Sequence, residues 1–152
     1  MSAMSAMSAE GRAYLDTSAV AKWYLNEDGS DAFVAYIEGL DVAVVSSLTR
    51  TEMRSLLARR RRMGDLDPAL ESVIFATFLD DIAGGFLSLC PTDDMRFDEA
   101  VSLIARYQEH PLRTLDALHL AVARHEQVDA IATADGVMAD TAEAMGFAVA
   151  RF

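Results

Sequence analysis

The sequence is poor in the residues that build several common kinds of site. Its one cysteine and three histidines are scattered, which excludes an internal disulfide and a clustered Cys/His zinc site. No glycine-rich phosphate-binding loop is present. Apolar runs such as Val42–Val45 are far shorter than the ~20 residues that cross a bilayer, and residues 1–10 lack a secretory signal pattern. These absences predict a soluble, cytoplasmic protein without membrane contact, which also suits an unpaired cysteine.

Length and composition favour a single domain. The chain has 152 residues, of which 52% are hydrophobic. This length is enough for one hydrophobic core and too short for two domains of ordinary size. Residues 1–10 repeat Met-Ser-Ala three times without a periodicity that could pack, so we expect a disordered tail before a domain of residues 11–152. Cys90 lies in a strand-like apolar segment and is expected to be a buried small hydrophobe.

Short apolar segments alternate with amphipathic ones along the whole chain. Strands are predicted over Arg12–Asp16, Val42–Ser46, Phe86–Cys90, Asp129–Thr133 and Phe147–Arg151. Helices are predicted over Ser18–Leu25, Ser30–Gly39, Leu48–Met63, Pro68–Ala83, Met95–Gln108, Leu112–Glu126 and Gly136–Met145. Strands separated by helices pair in parallel, which indicates a layered α/β domain. In such sheets the functional site lies beyond the carboxyl ends of the strands.

Local signals support the predicted helix boundaries. The segment Thr49–Glu52 has the spacing of a capping box, and Asp67 before Pro68 is typical of a cap followed by a first-turn proline. Glycines are placed to end two helices, at Gly84–Gly85 and at Gly146.

Four carboxylates lie where this fold would bring them together. Asp16 ends the first strand, Asp135 follows the fourth, and Glu52 and Asp116 lie on helices. Carboxylates that converge from distant segments indicate a site for a hard divalent cation, Mg²⁺ or Mn²⁺. Mutual repulsion should also raise the pKa of at least one of them in the metal-free protein. Simpler roles stay open: Asp16 and Asp135 as helix caps, and Glu52 as the capping-box partner.

Asp116 is the most informative of the four, because its helix is apolar nearly all round. Leu112 and Leu120 flank it on one face, and acids are almost never fully buried without a partner or a metal. An ion pair with Arg113 is the alternative explanation. His119 lies three residues further on, where it would orient Asp116, bind metal or simply be a satisfied core histidine.

The net charge of −11 argues against a nucleic-acid partner, because lysine and arginine contacts to phosphate usually supply most of that affinity. The basic run Arg59–Arg62 would scatter around a helix, whereas Arg50, Arg54 and Arg61 align on one face. These residues form either a solvated face with favourable charge at a helix C-terminus or a contact to phosphate or a partner.

Four motifs, in order and with the expected spacing, resemble the PIN-domain family, and most closely its VapC-type ribonuclease toxins. They are Asp16–Tyr24, Ser47–Glu52, Arg113–Ala121 and Thr133–Asp135, and the resemblance covers essentially Arg12 to Phe152. The first and third motifs are fairly specific. One departure is Ala134, where a bulky or basic residue is expected, and this makes Asp135 the least secure ligand.

The resemblance implies a three-layer α/β domain with a central five-stranded parallel sheet flanked by helices. It also implies a Mg²⁺- or Mn²⁺-dependent endoribonuclease that is a toxin neutralised by a cognate antitoxin protein, with RNA as substrate and a homodimer as the assembly. The family's acidic residues map onto Asp16, Glu52, Asp116 and Asp135, and a hydroxyl near the first aspartate onto Thr17 or Ser18.

The chemistry expected from this resemblance needs positive charge beside the acids. We assign Asp16 and Asp116 as principal metal ligands, with Glu52 and Asp135 holding a second ion or bound waters. Arginines, with Arg50, Arg54 and Arg113 as candidates, would reverse the local potential for an incoming phosphate.

Two other functions are weighed. A haloacid dehalogenase-like phosphatase also begins with an aspartate after its first strand, but it needs an acid at the position that Ser18 occupies here. A PIN-like module that binds a partner without catalysis is the second alternative.

Overall fold

A computed structural model describes residues 11–152 of the chain. The five strands are β1 (Arg12–Leu15), β2 (Val42–Ser46), β3 (Leu87–Cys90), β4 (Ala130–Thr133) and β5 (Ala148–Arg151). The helices are α1 (Thr17–Tyr24), α2 (Ser30–Glu38), α3 (Ser47–Arg62), α4 (Pro68–Ala83), α5 (Asp94–Arg106), α6 (Thr114–His125) and α7 (Gly136–Ala144). The tail predicted for residues 1–10 lies outside the described residues.

The five strands form one parallel sheet in the order β3-β2-β1-β4-β5. In the central strand Tyr14 is in register with Val44 of β2 and Ile131 of β4. Because all strands point the same way, the residues that follow β1 and β4 emerge at one edge of the sheet. The predicted α/β class and five-stranded parallel sheet are confirmed.

Helices cover both faces of the sheet, and the alternation of side chains along β1 divides the core into two. Ala13 and Leu15 pack with α1 to α4, whereas Tyr14 points to the opposite face and packs with α5, α6 and α7. The predicted burial of Cys90 is confirmed, and its thiol donates to the carbonyl oxygen of Val45 at 3.2 Å. Burial raises the pKa of this thiol to about 12, so it is inert.

The predicted capping box at Thr49–Glu52 is wrong. The N-cap of α3 is Ser46, whose Oγ accepts from the backbone N–H of Thr49, while Thr49 Oγ1 accepts from the N–H of Ser46 at 3.2 Å. Strand β2 runs into α3 without a loop, so the last strand residue is also the cap. Glu52 therefore lies in the second turn, free for another role.

The other boundaries lie within two residues of those predicted. Asp67 caps α4 as expected, with Oδ1 accepting from Leu70 N at 2.7 Å. Helix α6 begins at Thr114, so Leu112 precedes the helix instead of flanking Asp116 within it. Among residues 11–152, no helix combines the length and apolar character that crossing a membrane requires.

The revised cap predicts the effect of an isosteric substitution. Thr49→Val keeps the volume of a fully buried side chain but leaves the Ser46 N–H without its acceptor. We expect it to lower the free energy of unfolding by about 1 to 2 kcal/mol, measured by urea denaturation. Thr51→Val is the matched control, because Thr51 is exposed and its Oγ1 makes only a 3.5 Å contact within the helix. Equal losses in the two variants would contradict the Ser46–Thr49 box.

Candidate active site

The four predicted carboxylates line one cavity of about 540 Å³ beyond the carboxyl ends of β1 and β4. Asp16 and Asp135 come from the strand ends, Glu52 from α3 and Asp116 from α6. Each reaches the cavity from a different element, so the sheet order and the helix positions together create it.

Asp16 is 4% exposed, and its carboxylate accepts hydrogen bonds from the start of α1 and the end of β4. Its Oδ1 accepts from Ser18 Oγ at 2.7 Å and from the N–H of Ala19 at 3.0 Å, which caps α1. Its Oδ2 accepts from Thr133 Oγ1 of β4 at 2.5 Å. The alternative role as a cap is therefore real, and it coexists with a place in the cavity wall. Ser18 provides the hydroxyl expected beside the first aspartate.

Asp135 also combines both roles. Its Oδ1 accepts from the N–H groups of Val137 and Met138 at 2.9 and 3.3 Å, which caps α7. Its Oδ2 lies 3.5 Å from Arg113 Nη2. One oxygen thus serves the helix, and the other faces the cavity.

Asp116 is buried at the first turn of α6 and pairs with Arg113, as the alternative explanation proposed. Its Oδ2 accepts from the backbone N–H of Arg113 at 3.2 Å and lies 3.5 Å from Nε of the same residue. The Arg113 side chain is 79% exposed and contacts Asp135 as well. An exposed guanidinium therefore lies between two of the four acids.

Glu52 is held by two side chains from other elements. Thr17 Oγ1 donates to its Oε1 at 2.8 Å, and Nε2 of His119 is in hydrogen-bond contact with the same oxygen. Partial burial tends to raise the pKa of Glu52, but the hydrogen bond and charge of His119, with the Thr17 hydrogen bond, bring it below its ordinary value. His119 is buried and contacts Glu52, not Asp116 as one prediction had it.

None of the three arginines predicted to align on one helix face lines the cavity. Arg61 Nε is 2.6 Å and Arg54 Nη2 is 3.9 Å from the buried Glu71 of α4, so these residues tie α3 to α4. Arg50 is exposed and does not line the cavity. Arg113 and Arg59 do line it. Arg59 was missed because four consecutive arginines carry no facial pattern, and only the packing of α3 shows which one faces the acids.

The donor chemistry of the cavity fits a hard divalent cation. Its acidic side chains present oxygen ligands, with Ser18 and Thr17 hydroxyls beside them, and an arginine guanidinium already lies between Asp116 and Asp135. Within residues 11–152, however, no three histidine, cysteine or acidic side chains converge closely enough to hold one ion together. The carboxylates are instead held by hydrogen bonds from the chain itself.

The fold and the acidic cavity agree with a comparison against known families, in which the PIN domain pattern matches residues 13–144. The chain belongs to the PIN-domain family. This confirms the resemblance inferred from the four motifs.

Individual proteins similar to this chain support the family assignment. Ribonuclease VapC46 of Mycobacterium tuberculosis is 36% identical over 140 residues, covering 90% of this chain and 94% of that protein. The crystal structure of VapC20 from M. tuberculosis, a toxin that cleaves the sarcin-ricin loop, has a TM-score of 0.70 at 20% identity and covers 92% of this chain and 99% of that one. VapBC2 from Rickettsia felis, bound to a promoter DNA fragment, has a TM-score of 0.66 at 10% identity, covering 93% and 98%.

In this PIN-domain site the cause of the raised carboxylate pKa differs from the predicted one. The pKa of Asp16 is raised, as predicted for one of the four acids, but the largest cause is burial of the carboxylate and not repulsion by its neighbours. Nearby positive charge at His119 and three hydrogen bonds, from Thr133, Ser18 and Ala19, lower it only in part.

The raised pKa of Asp16 predicts how stability depends on pH. The native state binds this proton more tightly than the unfolded chain, so the contribution is complete below the unfolded value of about 4 and is lost as pH rises through the folded pKa. Metal-free Asp16→Asn should therefore be more stable than wild type at pH 7, and the difference should shrink toward pH 4. Urea denaturation in chelator measures both.

The exposed Asp98 gives a matched control, because Asp98→Asn changes the net charge equally without touching the cavity. It should leave the pH profile of stability close to that of wild type. If Asp16→Asn instead lowers the free energy of unfolding at every pH, the hydrogen bonds to the charged carboxylate stabilise the fold by more than burial of the charge destabilises it.

Proposed function

We propose that this PIN-domain protein is a divalent-metal-dependent endoribonuclease, the toxin of a toxin–antitoxin pair. The observation that carries the proposal is the cavity lined by Asp16, Glu52, Asp116 and Asp135 in a chain 36% identical to a named ribonuclease along almost its whole length. The phosphatase alternative fails on the same residues, because the position that would need a second acid is Ser18, which donates to Asp16.

Dependence on a divalent metal is general among PIN-domain nucleases of the VapC kind. For this chain we infer Mg²⁺ or Mn²⁺, with Asp16 and Asp116 as the principal ligands and Glu52 and Asp135 completing the site. Such a cation supplies Lewis acidity, which lowers the pKa of an attacking water and neutralises charge that develops on the phosphate.

The remaining work falls to side chains of the protein. Arg113 contacts Asp116 and Asp135, and its guanidinium would be available to an RNA phosphate if these carboxylates held a cation. Arg59 lines the same cavity and adds positive charge on the α3 side. These two arginines offset the net charge of −11 at the one place where a polyanion must approach.

The partners that we propose for this protein are based on complexes formed by proteins of the same fold. Solved structures of the same fold include the VapBC2 and FitAB complexes, both bound to DNA fragments. We infer that this protein also binds a cognate antitoxin, that it forms a homodimer within that complex, and that it acts on RNA in the cytoplasm.

The first test of the nuclease assignment is Asp116→Asn. We expect this variant to fold normally and to reduce metal-dependent RNA cleavage by several orders of magnitude, because a buried ligand loses its charge. Cleavage is measured on a labelled RNA with Mg²⁺, with Mn²⁺ and with chelator. Asp98→Asn, on the exposed side of α5, is the control and should cleave as wild type does.

Full cleavage by a carefully purified Asp116→Asn protein would remove Asp116 from the site. Absence of cleavage by the wild-type protein with either metal would favour the other candidate, a PIN module that binds a partner without catalysis.

A second test concerns neutralisation by the antitoxin. We expect it to place a basic side chain, an arginine, among the carboxylates, where a guanidinium bridges two acids as Arg113 does with Asp116 and Asp135. The purified complex should then bind Mn²⁺ much more weakly than the free toxin in calorimetry. Equal affinities would show that inhibition occurs outside the cavity.

A further inference from the structure

A chain of hydrogen bonds runs behind the cavity, through the core, to Glu52. The phenol oxygen of Tyr14 lies 2.9 Å from Ser46 Oγ and 2.5 Å from Nδ1 of His119. The other ring nitrogen of His119, Nε2, contacts Glu52. The chain thus begins at the cap of α3, crosses β1 and α6, and returns to α3 at the carboxylate.

The interior members of this chain are shielded from water. Tyr14 and Ser46 are fully buried and His119 is 4% exposed, so their polar atoms must be satisfied by one another. A buried histidine on an apolar helix face would be costly without a partner for each ring nitrogen, and here both ring nitrogens have one.

The partners determine where the protons lie. A carboxylate accepts but does not donate, so Nε2 of His119 must carry the hydrogen that faces Glu52. The other ring nitrogen, Nδ1, has the Tyr14 hydroxyl as its partner. Ser46 Oγ accepts from the Thr49 N–H and lies within hydrogen-bond distance of the same hydroxyl.

We propose that His119 is a positioning residue, oriented by Tyr14, that fixes the Glu52 carboxylate in the cavity. This inference rests on the proposed function, in which Glu52 belongs to the metal site. We do not assign His119 as a metal ligand, because its Nε2 is hydrogen-bonded to Glu52 and its Nδ1 to Tyr14.

The physical need for such a residue comes from the length of the glutamate side chain. Glu52 extends from the second turn of α3 with several rotatable bonds, and Thr17 is its only other described hydrogen-bond partner. A hydrogen bond from a buried ring removes this freedom before any cation arrives. Partners that orient a metal ligand are typically worth about 10- to 100-fold in metal affinity or activity.

Two substitutions of His119 separate positioning from packing. His119→Gln carries an amide N–H to a place near Nε2, so it retains a donor for Glu52. His119→Asn carries its amide near Nδ1, so it retains a partner for Tyr14 but does not reach Glu52. We expect His119→Asn to weaken Mn²⁺ binding in calorimetry by about 10- to 100-fold, and His119→Gln to recover most of that affinity.

Equal loss in the two variants, or no loss in either, would overturn the proposal, because a purely structural histidine would not distinguish the position of the amide. Melting curves of both variants, recorded without metal, show whether a change in affinity reflects a change in folding.

A spectroscopic measurement tests the same idea without any variant of His119. Nitrogen-15 NMR of the histidine rings should show a proton on Nε2 of His119, and Tyr14→Phe should shift the Nδ1 resonance of that ring, because Nδ1 loses its hydrogen-bond partner. An Nε2 without a proton in the wild-type protein, or an Nδ1 resonance that Tyr14→Phe leaves unmoved, would contradict the proposed hydrogen-bond chain. If wild-type protein binds no Mn²⁺ and cleaves no RNA, the proposed function fails, whereas the NMR result still decides the hydrogen-bond chain.

Discussion

Burial of the Asp16 carboxylate at the end of the central strand is the constraint on which the rest of the site depends. A charge that is 4% exposed is tolerated only with hydrogen bonds, and these come from Ser18, Ala19 and Thr133. The bonds tie the end of β1 to the end of β4 and to the start of α1. Since β1 lies between β2 and β4, the same point also receives α3 and α6, which carry Glu52 and Asp116, and it adjoins Asp135 at the end of β4.

Capping and ligand roles are not alternatives in this protein, although they compete as explanations of the sequence. A carboxylate has two oxygens, and a helix N-terminus needs only one of them. Asp135 gives one oxygen to the N–H groups of α7 and turns the other toward Arg113. The positive ends of α1 and α7 therefore contribute to holding negative charge at the cavity, in addition to any bound cation.

The distribution of arginines explains how a protein of net charge −11 can accept RNA. Arg54 and Arg61 are used to hold α3 against α4 through Glu71, and they leave the cavity to Arg59 and Arg113. Arg113 is the more exposed partner of its ion pairs and contacts two acids at 3.5 Å, which are long, weak contacts in solvent. Such a side chain exchanges partners at little cost, as a phosphate-binding residue must.

The sequence alone determined the class of fold, the parallel sheet and the four acids, because hydrophobic periodicity and residue order are local properties and each acid lies in a recognisable motif. It misplaced the cap of α3, since the Thr49–Glu52 spacing satisfies the capping rule as well as Ser46–Thr49 does, and only the strand that runs directly into the helix decides between them. For His119 it left three roles open, one of them orienting Asp116, three residues away on the same helix. The actual partners, Tyr14 and Glu52, are 105 and 67 residues distant. Contacts of that kind depend on how β1, α3 and α6 cross, so tertiary packing alone decided them.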